Sequence, residues 1–237
     1  MPLSSTAQSA SLPRRLAAEG LGSALLLAAV VGSGIMGERL SGGNAGLALL
    51  ANSLATGAAL ASLLLALGPI SGAHLNPAVT LADASQRGTR WREVPGYLCA
   101  QVVGAFAGVA VAHAMFGEPL FAASTRARSG ASQAFSEFIA TFGLLAVIWG
   151  CSRRRTGALP LAVASYITGA YWFTASTCFA NPAVTLARSA SNTFAGIQPA
   201  DVPPFLAAQL LGAFAATALF RWLVPALPEQ VRGAPSA

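Results

Sequence analysis

The chain has 237 residues, 54% of them hydrophobic and only 9% charged, with a mean hydropathy of +0.60; soluble domains carry about 25% charged residues, so this composition belongs to a multi-span membrane protein. The net charge of +6 does not mark a nucleic-acid binder, because all 14 basic residues are arginines in short clusters between apolar runs, where they act as topology signals. Cys99, Cys151 and Cys178 stand at unrelated spacings in or beside apolar stretches, which implies neither a disulfide frame nor a metal site, and Cys99 and Cys151 read as inert apolar fillers.

In chain order, residues 1–13 read as a disordered N-terminus from their Ser and Pro content. Pro13, Arg14 and Arg15 then lead into an apolar run that carries Glu19 and is long enough to span, which argues against a cleavable signal peptide. A window of about 20 residues, enough to cross roughly 30 Å of hydrocarbon at about 1.5 Å per residue, predicts six spans near 16–37, 44–68, 94–116, 134–151, 157–176 and 202–224. Between them, Arg14, Arg15, Arg87, Arg90, Arg92, Arg153, Arg154, Arg155, Arg221 and Arg232 fall on one side, and Arg39, Arg126, Arg128 and Arg188 on the other. Ten against four places both termini in the cytoplasm. Residues 228–237 read as a disordered tail.

The segment NPAVTLA occurs twice, at Asn76–Ala82 and at Asn181–Ala187. AEGLGSALL at 18–26 is matched by SEFIATFGLL at 136–145, and AQVVGAF at 100–106 by AQLLGAF at 208–214, in the same order. The chain is therefore a duplication, one channel-sized domain over 14–225 with repeats of about 14–116 and 134–225. Each repeat holds three spans, an odd number, so the second enters the membrane inverted. Gly104 and Gly108, matched by Gly212 and Ala216, have the spacing that lets helices cross closely.

Each heptapeptide lies between the second and third span of its repeat and is too short to cross. Asn is a favoured N-cap and Pro a favoured first helical residue, so Asn76-Pro77-Ala78 and Asn181-Pro182-Ala183 each open a half-helix, PAVTLADAS and PAVTLARSAS. Two half-helices entering from opposite faces meet at mid-membrane, where irregular backbone is tolerated only around a water-filled cavity or inside protein. Their N-termini bring about half a positive charge each and the Asn amides supply donors. Such a junction opposes cations and accepts neutral hydroxylated solutes.

Paired Asn-Pro-Ala boxes in an inverted three-span repeat, the first within SGAHLNPAVTL, resemble the aquaporin and aquaglyceroporin family, over roughly residues 14–225. The resemblance implies an all-α membrane protein: six transmembrane helices and two re-entrant half-helices in a right-handed bundle, assembled as a homotetramer in a lipid bilayer. It also implies that Glu19 and Glu137 are buried carboxylates bracing the re-entrant loops, with His74 bracing the first box or lining a vestibule; a gating proton sensor is the other reading of His74. Asp83 and Arg87, spaced i, i+4, are expected to pair at the end of the first half-helix.

Water-selective members of that family place Arg directly after the second box. Here Val184 follows it, and Arg188 comes one helical turn later. Carrying the family's four filter positions onto this chain gives Thr56, Gly169, Cys178 and Val184, an arginine-free constriction that is wide and weakly polar. Val184 together with ARSASNTFAGIQP is similar to a bacterial subgroup associated with arsenic resistance, which implies arsenite, antimonite or methylated arsenicals as permeants beside glycerol and water, in the inner membrane of a bacterium. A general water and glycerol channel is the alternative. An ion-coupled transporter could use the same repeats, but its only intramembrane acids would be Glu19 and Glu137. Nothing in the sequence calls for a cofactor, a nucleic-acid partner or an enzyme's nucleophile.

Overall fold

A computed structural model describes residues 10–152 and 156–224. Arg153, Arg154, Arg155 and Arg232 of the charge count, the first nine residues and the tail from 228 lie outside the described residues. Every described element is helical: α1 (Leu12–Leu40), α2 (Ala45–Ser71), α3 (Pro77–Ser85), α4 (Val94–Phe116), α5 (Ala131–Ser152), α6 (Leu159–Phe173), α7 (Pro182–Arg188) and α8 (Val202–Leu223). Helix α1 starts at Leu12, so Leu12 and Pro13 belong to its first turn and not to a disordered end; proline there has no N–H to leave unpaired.

The helix ends follow local chemistry. The Asn44 side chain accepts the Leu47 N–H at 3.1 Å and opens α2, which closes at Gly72 with φ 91°. Helix α4 closes the same way at Gly117, φ 70°, and left-handed residues of this kind stop helices because only glycine adopts them freely. Among the described residues, five helices are long and apolar enough to cross a membrane. The fifth expected span, 157–176, is shorter: α6 has 15 residues and stops at Phe173, preceded by a 3-10 turn at Thr156–Ala158. Turn and helix together still rise roughly 28 Å, close to one hydrocarbon core. It ends early because the chain must turn at Thr174 to re-enter toward α7.

The halves α1–α4 and α5–α8 mirror each other. The broadest helix pairings are α1 with α4 and α5 with α8. In the first, Gly104 and Gly108 sit directly on the backbone carbonyls of Gly20 and Ala24. In the second, Gly212 sits on the carbonyl of Phe138. Any Cβ at these three positions would enter backbone, which is why residues without one recur in both halves. Helix α2 packs on α6, and the half-helices α3 and α7 touch at the centre of the bundle.

Candidate functional site

The two boxes meet head to head. In each, the Asn side-chain carbonyl caps its own half-helix: Asn76 Oδ1 accepts the Ala78 N–H at 2.9 Å, and Asn181 Oδ1 accepts those of Ala183 and Val184 at 3.0 and 3.3 Å. The amide nitrogens reach across the pseudo-twofold axis. Asn76 Nδ2 donates to the Ala180 carbonyl at 2.8 Å, and Asn181 Nδ2 to the Leu75 carbonyl at 2.7 Å. Each NH2 group carries two hydrogens, so one ties the boxes together and one remains for a solute.

The loops that deliver the boxes are strained. Ala73 and Leu75 before the first, and Thr177, Cys178 and Ala180 before the second, all have positive φ between 46° and 61°, a conformation that costs a non-glycine residue about 1–2 kcal/mol. A fully buried glutamate compensates on each side. Glu19 accepts the backbone N–H groups of His74 and Leu75 at 2.9 and 2.7 Å, the Ser71 hydroxyl at 2.6 Å and Gln101 Nε2 at 2.8 Å. Glu137 accepts Phe179 and Ala180 N–H, both at 2.8 Å, and Gln209 Nε2 at 2.6 Å. Gln101 and Gln209 each also donate to a threonine, Thr80 or Thr185, whose hydroxyl donates to the carbonyl of the box Asn. This explains the matched Ala-Gln segments of α4 and α8.

A cavity of about 330 Å³ runs along the bundle past both boxes. One wall is apolar, with Leu60, Ile148, Val163 and Ile167 among its residues. The other carries His74, Asn76, Asn181 and the loop residues Gly72–Leu75 and Cys178–Ala180. The His74 ring lies 3.1 Å from the Thr80 hydroxyl, with Nε2 3.7 Å from Asp83 Oδ2, so this residue is braced and cavity-lining at once. Asp83 does not pair with Arg87. Its Oδ2 accepts the Thr89 N–H and hydroxyl at 2.7 and 2.8 Å. Helix α3 ends at Ser85 and Arg87 lies beyond it with φ 64°, so the i, i+4 geometry is lost.

Toward the far end the cavity is bounded by Thr56, Cys178, Val184, Tyr171 and Arg188. Gly169 is not among its lining residues; it is exposed, with open space where a Cβ would stand. The face of α6 that looks inward is Val163, Ile167 and Tyr171, spaced by four, and Gly169 lies two residues from Ile167, about 200° around the helix. Tyr171 lines the cavity from this helix instead, its hydroxyl 3.2 Å from that of Thr56. Nor is the wall free of arginine. Arg188 is buried at 2% exposure, its guanidinium 3.4 Å from the centroid of Phe179 and its Nε donating to the Ala195 carbonyl. Side chains of a helix lean toward its N-terminus, so a long arginine one turn after Val184 reaches back alongside it. The second half-helix also stops at Arg188, before the SAS of the expected segment, because the Arg188 carbonyl accepts Ser191 and Ile197 N–H in a turn.

Sequence reasoning missed Tyr171, whose stripe with Val163 and Ile167 was available but indistinct in an apolar helix, and the reach of Arg188. It also missed Arg128, which donates to the carbonyls of Ser176 and Gly196 and to the Thr177 hydroxyl. Burial, with repulsion from Arg188 and Arg126, pushes the Arg128 guanidinium down to about 9. Of the three free cysteines, Cys178 is buried in the cavity wall, Cys151 is half-buried and Cys99 is exposed on the outside of α4, not packed inside.

Residues 6–172 match the profile of the major intrinsic proteins. The chain is 56% identical over 223 residues to aquaglyceroporin AqpS of Rhizobium meliloti strain 1021, covering 93% of this chain and 95% of that protein. It is 36% identical over 139 residues to aquaporin NIP6-1 of Arabidopsis thaliana, covering 58% and 45%. Its fold superposes on the X-ray structure of the aquaglyceroporin from Plasmodium falciparum with a TM-score of 0.71 at 22% identity, over 91% of this chain and 98% of that one.

Proposed function

From the premise that the chain belongs to the major intrinsic protein family of membrane channels, we propose that it is a passive pore for small uncharged hydroxylated solutes, with glycerol and water as its ordinary permeants and arsenous acid within the same class. The observation that carries this reading is the amphipathic cavity: one apolar wall, and one polar wall on which Asn76 and Asn181 each keep a donor for a passing hydroxyl. A carbon face and a hydroxyl edge are what a polyol presents, and arsenous acid, an uncharged triol at neutral pH, offers a similar edge. The antimony analogue and methylated arsenicals belong to the class by the same reasoning. Thr56, Cys178 and Val184 with Tyr171 and Arg188 form the constriction in this reading, and Arg188 supplies its one cation.

Both acids that a coupled transporter would need are occupied in holding loop backbone, which favours a channel. The arginine distribution orients both termini to the cytoplasm of a bacterial inner membrane, with Arg126, Arg128 and Arg188 toward the outer mouth. Four chains side by side, each with its own pore, and a single domain over 14–225 complete the proposal. Stopped-flow light scattering of reconstituted vesicles tests it with water, glycerol, urea and arsenite in turn. Flux proportional to gradient, equal in both directions and independent of ions is expected; uphill accumulation would overturn it.

A further inference from the structure

A second pocket, of about 310 Å³, opens where the start of α2, the 117–130 connection and the loop after α7 converge. Arg126, Arg128 and Arg188 all line it, and no carboxylate does. We propose that this pocket is a binding site for one small oxyanion of the phosphate or sulfate class, held by these three guanidinium groups at the mouth of the cavity.

Like charges gathered without counter-charge are costly, more so with one of them buried. The carboxylates in reach are engaged elsewhere: Asp201 accepts the Arg128 backbone N–H at 2.6 Å, and Glu137 holds the second loop. The cations are fixed in place by neutral groups. Arg128 is anchored on three oxygens and lies over Phe179 at 4.8 Å, and Arg188 lies over the same ring at 3.4 Å. Arg126 lies over Phe194 at 4.8 Å, and its guanidinium makes no hydrogen bond to another described residue, leaving all five N–H donors available. Arg188 spends its Nε on Ala195 and lines both this pocket and the cavity. Burial lowers the affinity of Arg128 for its proton, and the charges of Arg188 and Arg126 lower it further, so an anion among the three would relieve that repulsion. Planar guanidinium forks match oxyanion geometry better than a monatomic ion.

The oxyanion could come from solution or from a lipid headgroup, and the test separates the two. Isothermal titration of the full chain in lipid-free micelles with sodium sulfate and sodium phosphate should give one saturable site per chain. Arg126→Gln should weaken it by about tenfold, the loss of charge-assisted bonds, and Arg126→Glu should abolish it. Arg39→Gln, which removes a cation already paired with Glu118 at 2.8 Å, should leave it intact. In nanodiscs, loss of the sulfate isotherm in phosphatidylglycerol but not phosphatidylcholine assigns the site to a headgroup; equal isotherms assign it to a free anion. Absence of saturable binding in micelles, or binding unchanged in both Arg126 variants, overturns the proposal.

Discussion

Asn76 and Asn181 each do three things with one amide: cap a half-helix, tie to the opposite loop and keep one hydrogen in the cavity. Asp can do only the first. Asn76→Asp or Asn181→Asp should therefore lose the cross-box bond, place a carboxylate at two helix N-termini, and admit cations. Planar-bilayer conductance should appear in both variants while glycerol flux falls about tenfold, the scale of one lost buried hydrogen bond; ion exclusion at parent levels would remove these amides from the path. Cys178 gives a second residue-scale outcome. Its side of the cavity wall is reachable by solute, whereas Cys99 is exposed on the outer face of α4. An impermeant mercurial should block water flux reversibly in the parent and in Cys99→Ser, and not in Cys178→Ser. At Arg188, replacement by Leu removes the one guanidinium in the cavity wall among the described residues, so cation leak and flux of larger polyols should both rise, measured side by side in vesicles.

At the scale of elements, each re-entrant loop is a strained segment held by one glutamate. Glu137→Ala orphans the Phe179 and Ala180 N–H groups and one donor of Gln209. At roughly 1–3 kcal/mol for each buried unpaired group, the second loop should no longer hold its left-handed residues. A melting temperature lowered by many degrees in detergent, with flux lost, is the expected result; Glu137→Gln, which keeps one acceptor, should lie between. The helix crossings make a parallel case. Gly104→Ala pushes a Cβ into the Gly20 carbonyl, and Gly212→Ala pushes one into that of Phe138. Backbone cannot step aside as a side chain can, so each should cost about 1–3 kcal/mol, read as similar losses of thermal stability.

Over the whole molecule, the two halves are joined at mid-depth by the reciprocal Asn bonds and at one end by the 117–130 connection. There Ser124 N–H donates to the Ser189 carbonyl at 2.9 Å and Gln198 N–H to that of Arg126 at 2.8 Å. Halves so interlocked should melt as one unit. Scanning calorimetry of the parent should show a single transition, and Asn76→Ala should move it down as a whole; two resolved transitions would mean that the repeats fold independently.

Legible from the residues alone was whatever repeats or is polar in an apolar context. The twin NPAVTLA segments, Glu19 and Glu137, and the Ala-Gln pairs were legible because burying a polar group without a partner is costly, so each had to have one. The half-helix starts at Asn76 and Asn181 were legible from capping chemistry, and α4 at Val94–Phe116 from its apolar length. Tertiary structure decided which side of an almost uniformly apolar helix faces the cavity. Gly169 and Tyr171 are two residues apart, and hydropathy has no polar face by which to tell their directions; only packing of α6 on α2 and α5 turned Tyr171 inward toward Thr56. It also decided how far Arg188 reaches, because spacing counted along the chain ignores the lean of a long side chain and the Phe179 ring that receives it. A sequence records which groups must be satisfied; the fold selects the partner and the direction.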